Sequence, residues 1–222
     1  MTYAHNIGLS ASEDRLEKLI NERLQAGSDK AAIDQRIWDL FGEEWAVMFT
    51  DLAGFSSGVA SFGIIHFLQI IQESQRLLIP CIDDFDGILL KMDGDSMLVI
   101  FRNVSKAIDC AVAMQQLCAT YNSSHEDNEH LRLCVGLGFG HLLRIGDRDV
   151  YGSEVNAAAK LGEDIAVENE ILVTADVREA VQSAYRFEQI ATIPPGAKAA
   201  FRLLWTAADQ TQGQAASPHP EN

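Results

Sequence analysis

Apolar positions along the chain recur with two different periods. Leu16, Leu19, Ile20 and Leu24 follow helical spacing up to Gly27, behind the capping box Ser10-Ala11-Ser12-Glu13. Ile33, Ile37, Leu40 and Phe41 make a second helical stripe that starts near Ser28-Asp29. The run Trp45-Ala46-Val47-Met48-Phe49 reads instead as a buried strand, covering 45–50 and ending on Asp51. Residues 62–79 predict an apolar helix closed by Pro80, and 104–121 predict another with Ile108, Ala111, Met114 and Cys118 on its wide apolar face. Between these helices, 88–91 and 97–101 read as the two strands of a hairpin with Asp93-Gly94 at its turn.

Farther on, Leu131, Leu133, Val135, Leu137 and Phe139 alternate strictly, which makes 131–140 a strand. Gly136, Gly138 and Gly140 occupy its other face, a sign that something approaches that face closely. A turn at 146–149, a helix over 155–166 and a strand over 171–173 follow. Thr174-Ala175-Asp176 then caps a helix to about Ala184, and strands at 187–191 and 201–205 flank Pro194-Pro195-Gly196.

The order β-α-β-β-α-β is that of a ferredoxin-like core, an antiparallel sheet with helices on one face, here with a small C-terminal α/β extension. The fold class is α+β. Residues 1–42 form an N-terminal helical extension, 43–206 the main domain, and 207–222, rich in Gln, Ala, Ser and Pro, a disordered tail. Packing on the main domain is the simplest role for the two N-terminal helices; a dimerisation or regulatory role stays open.

In this topology strand one lies beside the hairpin, so Asp51 faces Asp95. Two carboxylates brought together repel unless a cation sits between them. An acid at the end of a buried strand, followed by the flexible turn Ala53-Gly54, suits a hard cation and a phosphate together. The competing readings are a helix cap at Asp51 and two unrelated surface acids.

Charge narrows the partners. With 32 acidic and 17 basic residues the formal charge is −15, which argues against nucleic acid or an anionic membrane as the main partner. Cys81, Cys110, Cys118 and Cys134 are far apart with apolar flanks, as buried free thiols of a reducing compartment would be. No apolar run reaches the roughly 18–20 residues of a membrane span, and no leader pattern is present, so the expected location is cytoplasmic. The six histidines form no metal-ligand pattern, and His141 reads as a packing residue.

Three stretches together resemble the class III nucleotidyl cyclase catalytic domain, over roughly residues 43–206. Phe49-Thr50-Asp51-Leu52-Ala53-Gly54-Phe55-Ser56 is similar to its first metal motif, and Lys91-Met92-Asp93-Gly94-Asp95 to its Lys-x-x-Gly-Asp hairpin. Asp149-Val150-Tyr151-Gly152-Ser153-Glu154-Val155-Asn156-Ala157-Ala158-Ala159-Lys160 is similar to its third motif. The resemblance implies adenylyl cyclase activity, ATP to cyclic AMP and pyrophosphate, with two Mg²⁺ or Mn²⁺ ions per site. Asp51, Asp95 and the Leu52 carbonyl would bind the metals, and the backbone of Ala53, Gly54, Phe55 and Ser56 would hold the β- and γ-phosphates. Lys91 and Asp149 would read the base, Asn156 would orient the ribose, and Lys160 would stabilise charge on the α-phosphate. It further implies a head-to-tail homodimer with shared sites.

Lys offers only donors and an ionised Asp only acceptors, which complements N1 and N6 of adenine and mispairs guanine. The sequence departs from the family at Lys160, where the family has Arg. Charge is kept there while the bidentate fork is lost. Leu161-Gly162-Glu163-Asp164 also differs, and only Lys198 stands near the place of a second phosphate-binding lysine. A second reading therefore stays open: a weak or inert cyclase-like module that binds nucleotide or dimerises.

Overall fold

The computed structural model describes residues 11–54, 62–182 and 184–206. Helix α1 (Ala11–Arg23) and helix α2 (Lys30–Phe41) come first, the second capped by the Asp29 carboxylate, which accepts from the Ala32 N–H at 3.1 Å. Strand β1 (Gly42–Leu52) follows without a loop. Its register with β3 (Ser96–Phe101) runs Ala46↔Phe101 to Thr50↔Met97, and on its other side it pairs along its full length with β4 (Leu133–Ile145). With β2 (Ile88–Asp93) and β6, β7 and β8 (Ile171–Thr174, Phe187–Gln189, Ala200–Leu203), the sheet order is β2-β3-β1-β4-β6-β8-β7. Strand β5 (Asp149–Tyr151) pairs with the far end of β4. Only the β4–β6 pairing is parallel among the described strands.

The first four strands stand in the order of the expected ferredoxin-like core. Helix α3 (Ile64–Asp84) and helix α4 (Val104–Asn122) cover one face, where Ala46, Met48, Val99, Ile108, Met114, Leu133 and Leu137 are buried together. Each of the larger side chains among them contributes roughly 1.5–3 kcal/mol of burial. Alternation sends Trp45 and Val47 to the opposite face, where Leu98, Ile100, Val155 and Ala158 meet them. That second layer is helix α5 (Ser153–Ala159), so the extension covers what the core leaves open. Helix α6 (Ala175–Val181) joins the first layer. Leu19, Ile33, Ile37 and Phe41 pack α1 and α2 onto Ile145, and His141 stacks on Trp38 at 4.8 Å.

Several expected boundaries move. Pro80 does not close its helix, which runs on to Asp84. The ring is on the exposed side, so water can serve the carbonyl it leaves unpaired, while Leu78, Cys81 and Ile82 keep the helix on the core. The hairpin turns on Gly94-Asp95 rather than Asp93-Gly94: Gly94 has φ +61° at the first central position. Strand 131–140 extends to Ile145 because its far half pairs with both β1 and β5. The helix expected over 155–166 is α-helical from Ser153 to Ala159 and π-helical over Lys160–Ile165, with the Ala166 N–H bonded to the Leu161 carbonyl at 2.8 Å. Thr174 precedes α6 without a side-chain cap, its hydroxyl being used elsewhere. All four cysteines are buried and unbridged, and no helix among the described residues is long and apolar enough to cross a membrane.

Candidate active site

The pairing of β1 with β3 places the two expected acids at one corner of the sheet. Thr50 stands opposite Met97, so the next residues along each strand are Asp51 and Ser96, and Asp95 is the turn residue just beyond. The Ser96 hydroxyl donates to Asp51 Oδ1 at 3.1 Å. Burial is the main cause that lifts the Asp51 carboxyl to about 6, and the charge of Asp95 adds to it. Asp95 is also raised, chiefly by burial, against the Leu52 backbone N–H and other donors that favour its ionised form. The corner is thus acidic, oxygen-lined and short of positive charge. Among the described residues no third His, Cys, Asp or Glu completes a metal cluster with them.

Lys91 and Asp149 are far apart in sequence, yet both line a cavity of about 630 Å³ with Leu90 and Tyr151. That size is in the ordinary range of small-molecule sites. A β-bulge brings Lys91 there. Leu89 pairs with Val99, but Lys91 pairs with Leu98, which leaves Leu90 as the extra residue. Without it the alternation would set Lys91 opposite Met97, on the α3–α4 face. Asp149 is half-buried, and its carboxylate accepts from the Val150 N–H at 3.1 Å and from the Tyr151 hydroxyl at 3.5 Å.

The glycine face of β4 holds α5 and the π-helical turn, as the sequence pattern anticipated. A Cβ on Gly136 would collide with the Ala158 carbonyl and the Gly162 nitrogen, and one on Gly138 with the Glu154 carbonyl. A Cβ on Gly162 would stand 2.8 Å from the Phe49 carbonyl of β1. With Val155, Ala157, Ala158 and Leu161 turned to the sheet, Asn156 and Lys160 are exposed one turn apart on the outer side. Lys160 forms an ion pair with Asp164, whose hydrogen bond and charge raise the lysine pKa.

Two carboxylates escaped the sequence reading. Glu163, in the altered stretch after Lys160, is carried by the π-turn close enough to this corner that its charge acts on Asp51 and the charge of Asp95 acts on it. Glu154 is 7% exposed and accepts from the Thr174 hydroxyl at 2.6 Å and the Phe139 N–H at 3.2 Å. It pins the first turn of α5 to β4 and β6, and burial pushes its pKa up. Its sequence neighbours, Ser153 and Val155, carry almost no local signal for it.

The turn expected to hold phosphate begins at Ala53. Its N–H donates to the Arg132 carbonyl at 2.8 Å, which removes it from the donors open to an anion. Gly54 follows with φ +91°, and Phe55 and Ser56 lie outside the described residues. Leu52 is buried and anchors the turn. The Lys198 ammonium pairs with Asp176 at 2.9 Å.

The profile of the adenylate and guanylate cyclase catalytic domain matches residues 42–200. The serine/threonine-protein kinase pkn2 of Myxococcus xanthus is 28% identical over 151 residues, 68% of this chain and 18% of that protein. A protein of Rhizobium meliloti (strain 1021) provisionally named adenylate cyclase 3 is 26% identical over 136 residues, 61% of this chain and 23% of that protein. The chain therefore spans less than a quarter of either curated relative. Among solved structures, an adenylate/guanylate cyclase/hydrolase from Silicibacter pomeroyi superposes with a TM-score of 0.62 at 23% identity, covering 73% of this chain and 96% of the other.

Proposed function

The chain belongs to the adenylate and guanylate cyclase catalytic-domain family, and on that premise we propose that it converts ATP to 3′,5′-cyclic AMP and pyrophosphate at a site completed by a second copy of itself. The observation that carries the reading is the Asp51–Asp95 corner. Two half-buried carboxyls, both raised chiefly by burial, make with the Leu52 carbonyl an oxygen donor set that would fit Mg²⁺ or Mn²⁺. When bound, two such ions would lower the pKa of the ribose 3′-hydroxyl and neutralise the triphosphate.

The rest of the chemistry belongs to the chain. Lys91 donates to adenine N1 and Asp149 accepts from N6. The turn that begins at Gly54 would hold the β- and γ-phosphates, the role also expected of Phe55 and Ser56. Asn156 hydrogen-bonds the ribose, and Lys160 meets the charge that builds on the α-phosphate. Asn156 and Lys160 are exposed on the side of α5 away from the sheet, an orientation that suits a nucleotide held by the metal corner of a partner chain.

Product analysis with purified protein, Mn²⁺ and either ATP or GTP tests the substrate. Cyclic AMP is expected from ATP, with kcat/KM for GTP lower by roughly 10²-fold or more, since a mispaired buried edge discriminates strongly. Lys91→Glu combined with Asp149→Cys is expected to reverse the preference. Cyclic GTP as the main wild-type product would overturn the base assignment.

The Lys160–Asp164 ion pair favours a second reading, an inert nucleotide-binding module, because it occupies the ammonium that turnover requires. Lys160→Arg is expected to raise kcat roughly tenfold by restoring the bidentate fork, and Asp164→Asn severalfold by releasing the lysine. Wild-type protein that binds ATP without turning it over, with activity appearing only in Lys160→Arg, would establish the inert module.

A further inference from the structure

Helix α1 has no role in the reading above, yet it bounds the cavity of Lys91 and Asp149. Glu13, Leu16, Glu17, Ile20 and Asn21 all line that cavity. Their spacing of three and four residues puts them on one stripe of the helix. Leu19, between them in sequence, is fully buried and turns the other way, against Ile33, Ile37 and Ile145. The helix is thus held on the far end of β4 by Leu19, with Leu16 packed partly against the same cluster, and its remaining face borders the cavity. Glu13 lies 3.9 Å from the Arg148 guanidinium in the β4–β5 turn, a further tie between α1 and the hairpin that carries Asp149.

The chemistry of the stripe matches a purine. Leu16 and Ile20 are apolar and can cover the face of a flat ring, and the Asn21 amide carries both a donor and an acceptor for its edge. Ile20 is 41% exposed, so apolar area remains there for a ligand to cover. Lys91 and Asp149 provide the opposite, hydrogen-bonding side. A base held by its edge between two charged groups gains little from burial unless something covers its face.

We propose that α1 is a third wall of the nucleobase pocket, with Leu16 and Ile20 closing over the ring that Lys91 and Asp149 hold by its edge. The N-terminal helix is then an affinity determinant for the base. The proposal rests on the assignment of Lys91 and Asp149 to the base.

The native cysteines make a direct test practical, because all four are buried and a single introduced thiol reports alone. Three variants of the 222-residue chain are alkylated with a maleimide, with and without ATP: Ile20→Cys on the wall, Tyr151→Cys at the hairpin side of the cavity, and Arg15→Cys on an exposed part of α1 outside it. Tripolyphosphate, which lacks a base, is the control ligand. At ten times Kd about one site in eleven is open, so ATP is expected to slow labelling of Ile20→Cys and Tyr151→Cys roughly tenfold. Arg15→Cys should react at an unchanged rate, and tripolyphosphate should protect neither cavity position. Protection of Tyr151→Cys with unchanged labelling of Ile20→Cys overturns the wall while leaving the base assignment in place. Protection of neither, under conditions where calorimetry shows ATP bound, overturns both.

Discussion

Equal amounts of an Asp51→Ala chain and an Asn156→Ala chain, each inactive alone, are expected to regain roughly a quarter of wild-type cyclase activity when mixed and allowed to exchange. In a two-fold dimer with shared sites, half of the reassorted dimers are mixed and each has one intact site of its two. Either substitution alone should lower kcat at least roughly 10³-fold, since each removes a group that acts on the developing charge or on the geometry of the reacting ribose. The mixture should thus exceed either parent by more than two orders of magnitude. An affinity tag on one chain, with co-purification of the other, separates a failure to exchange from a failure to complement. Exchanged dimers without activity would rule out the shared site, whatever the single mutants do.

Asp51→Asn is expected to make the metal-free protein more stable at pH 7 while abolishing turnover and the thermal response to Mn²⁺. The sign follows from the direction of the shift. The folded-state carboxyl sits at about 6 against an ordinary 3.8, so the folded state holds a proton that the unfolded chain has released over that window. Stability of the metal-free wild type therefore falls as pH rises from about 4 to 6, and the loss is complete by pH 7. Two units correspond to roughly 3 kcal/mol, and solvent screening of a half-buried group reduces this to roughly 1–2 kcal/mol. For a domain of this size that is about 2–8 °C in melting temperature. Melting scans from pH 4 to pH 8, with chelator and with Mn²⁺, measure it. A wild-type melting temperature that neither drops across this window nor rises with Mn²⁺ would remove the metal corner from the site.

The same residues show why some of the site was legible and some was not. Asp51 could be read because a strand end and a hairpin turn are local patterns, and one pairing rule brings them together. Gly136 and Gly138 disclosed a close approach through their period alone, before the approaching helix could be named. Glu154 gave almost no signal, because its burial depends on Thr174 and the Phe139 N–H, groups 20 and 15 residues away. Pro80 misled, because a proline ends a helix only where its missing hydrogen bond cannot be replaced by water.

Hydrophobic periodicity by itself determined the element order, the α+β class and the neighbourhood of Asp51 and Asp95, since these follow from short-range rules of side-chain direction. Three placements were decided only in the folded chain. The bulge at Leu90 moved Lys91 to the face of Asp149, a one-residue slip that reverses sidedness and leaves no mark in the pattern. The π-turn at Lys160–Ile165 carried Glu163 toward the acidic corner, because the turn had to seat Gly162 against Phe49 and Gly136. Helix α1 came to line the cavity because Leu19 packs against a strand end more than a hundred residues away in sequence. Each depends on contacts between distant segments, which no local period can encode.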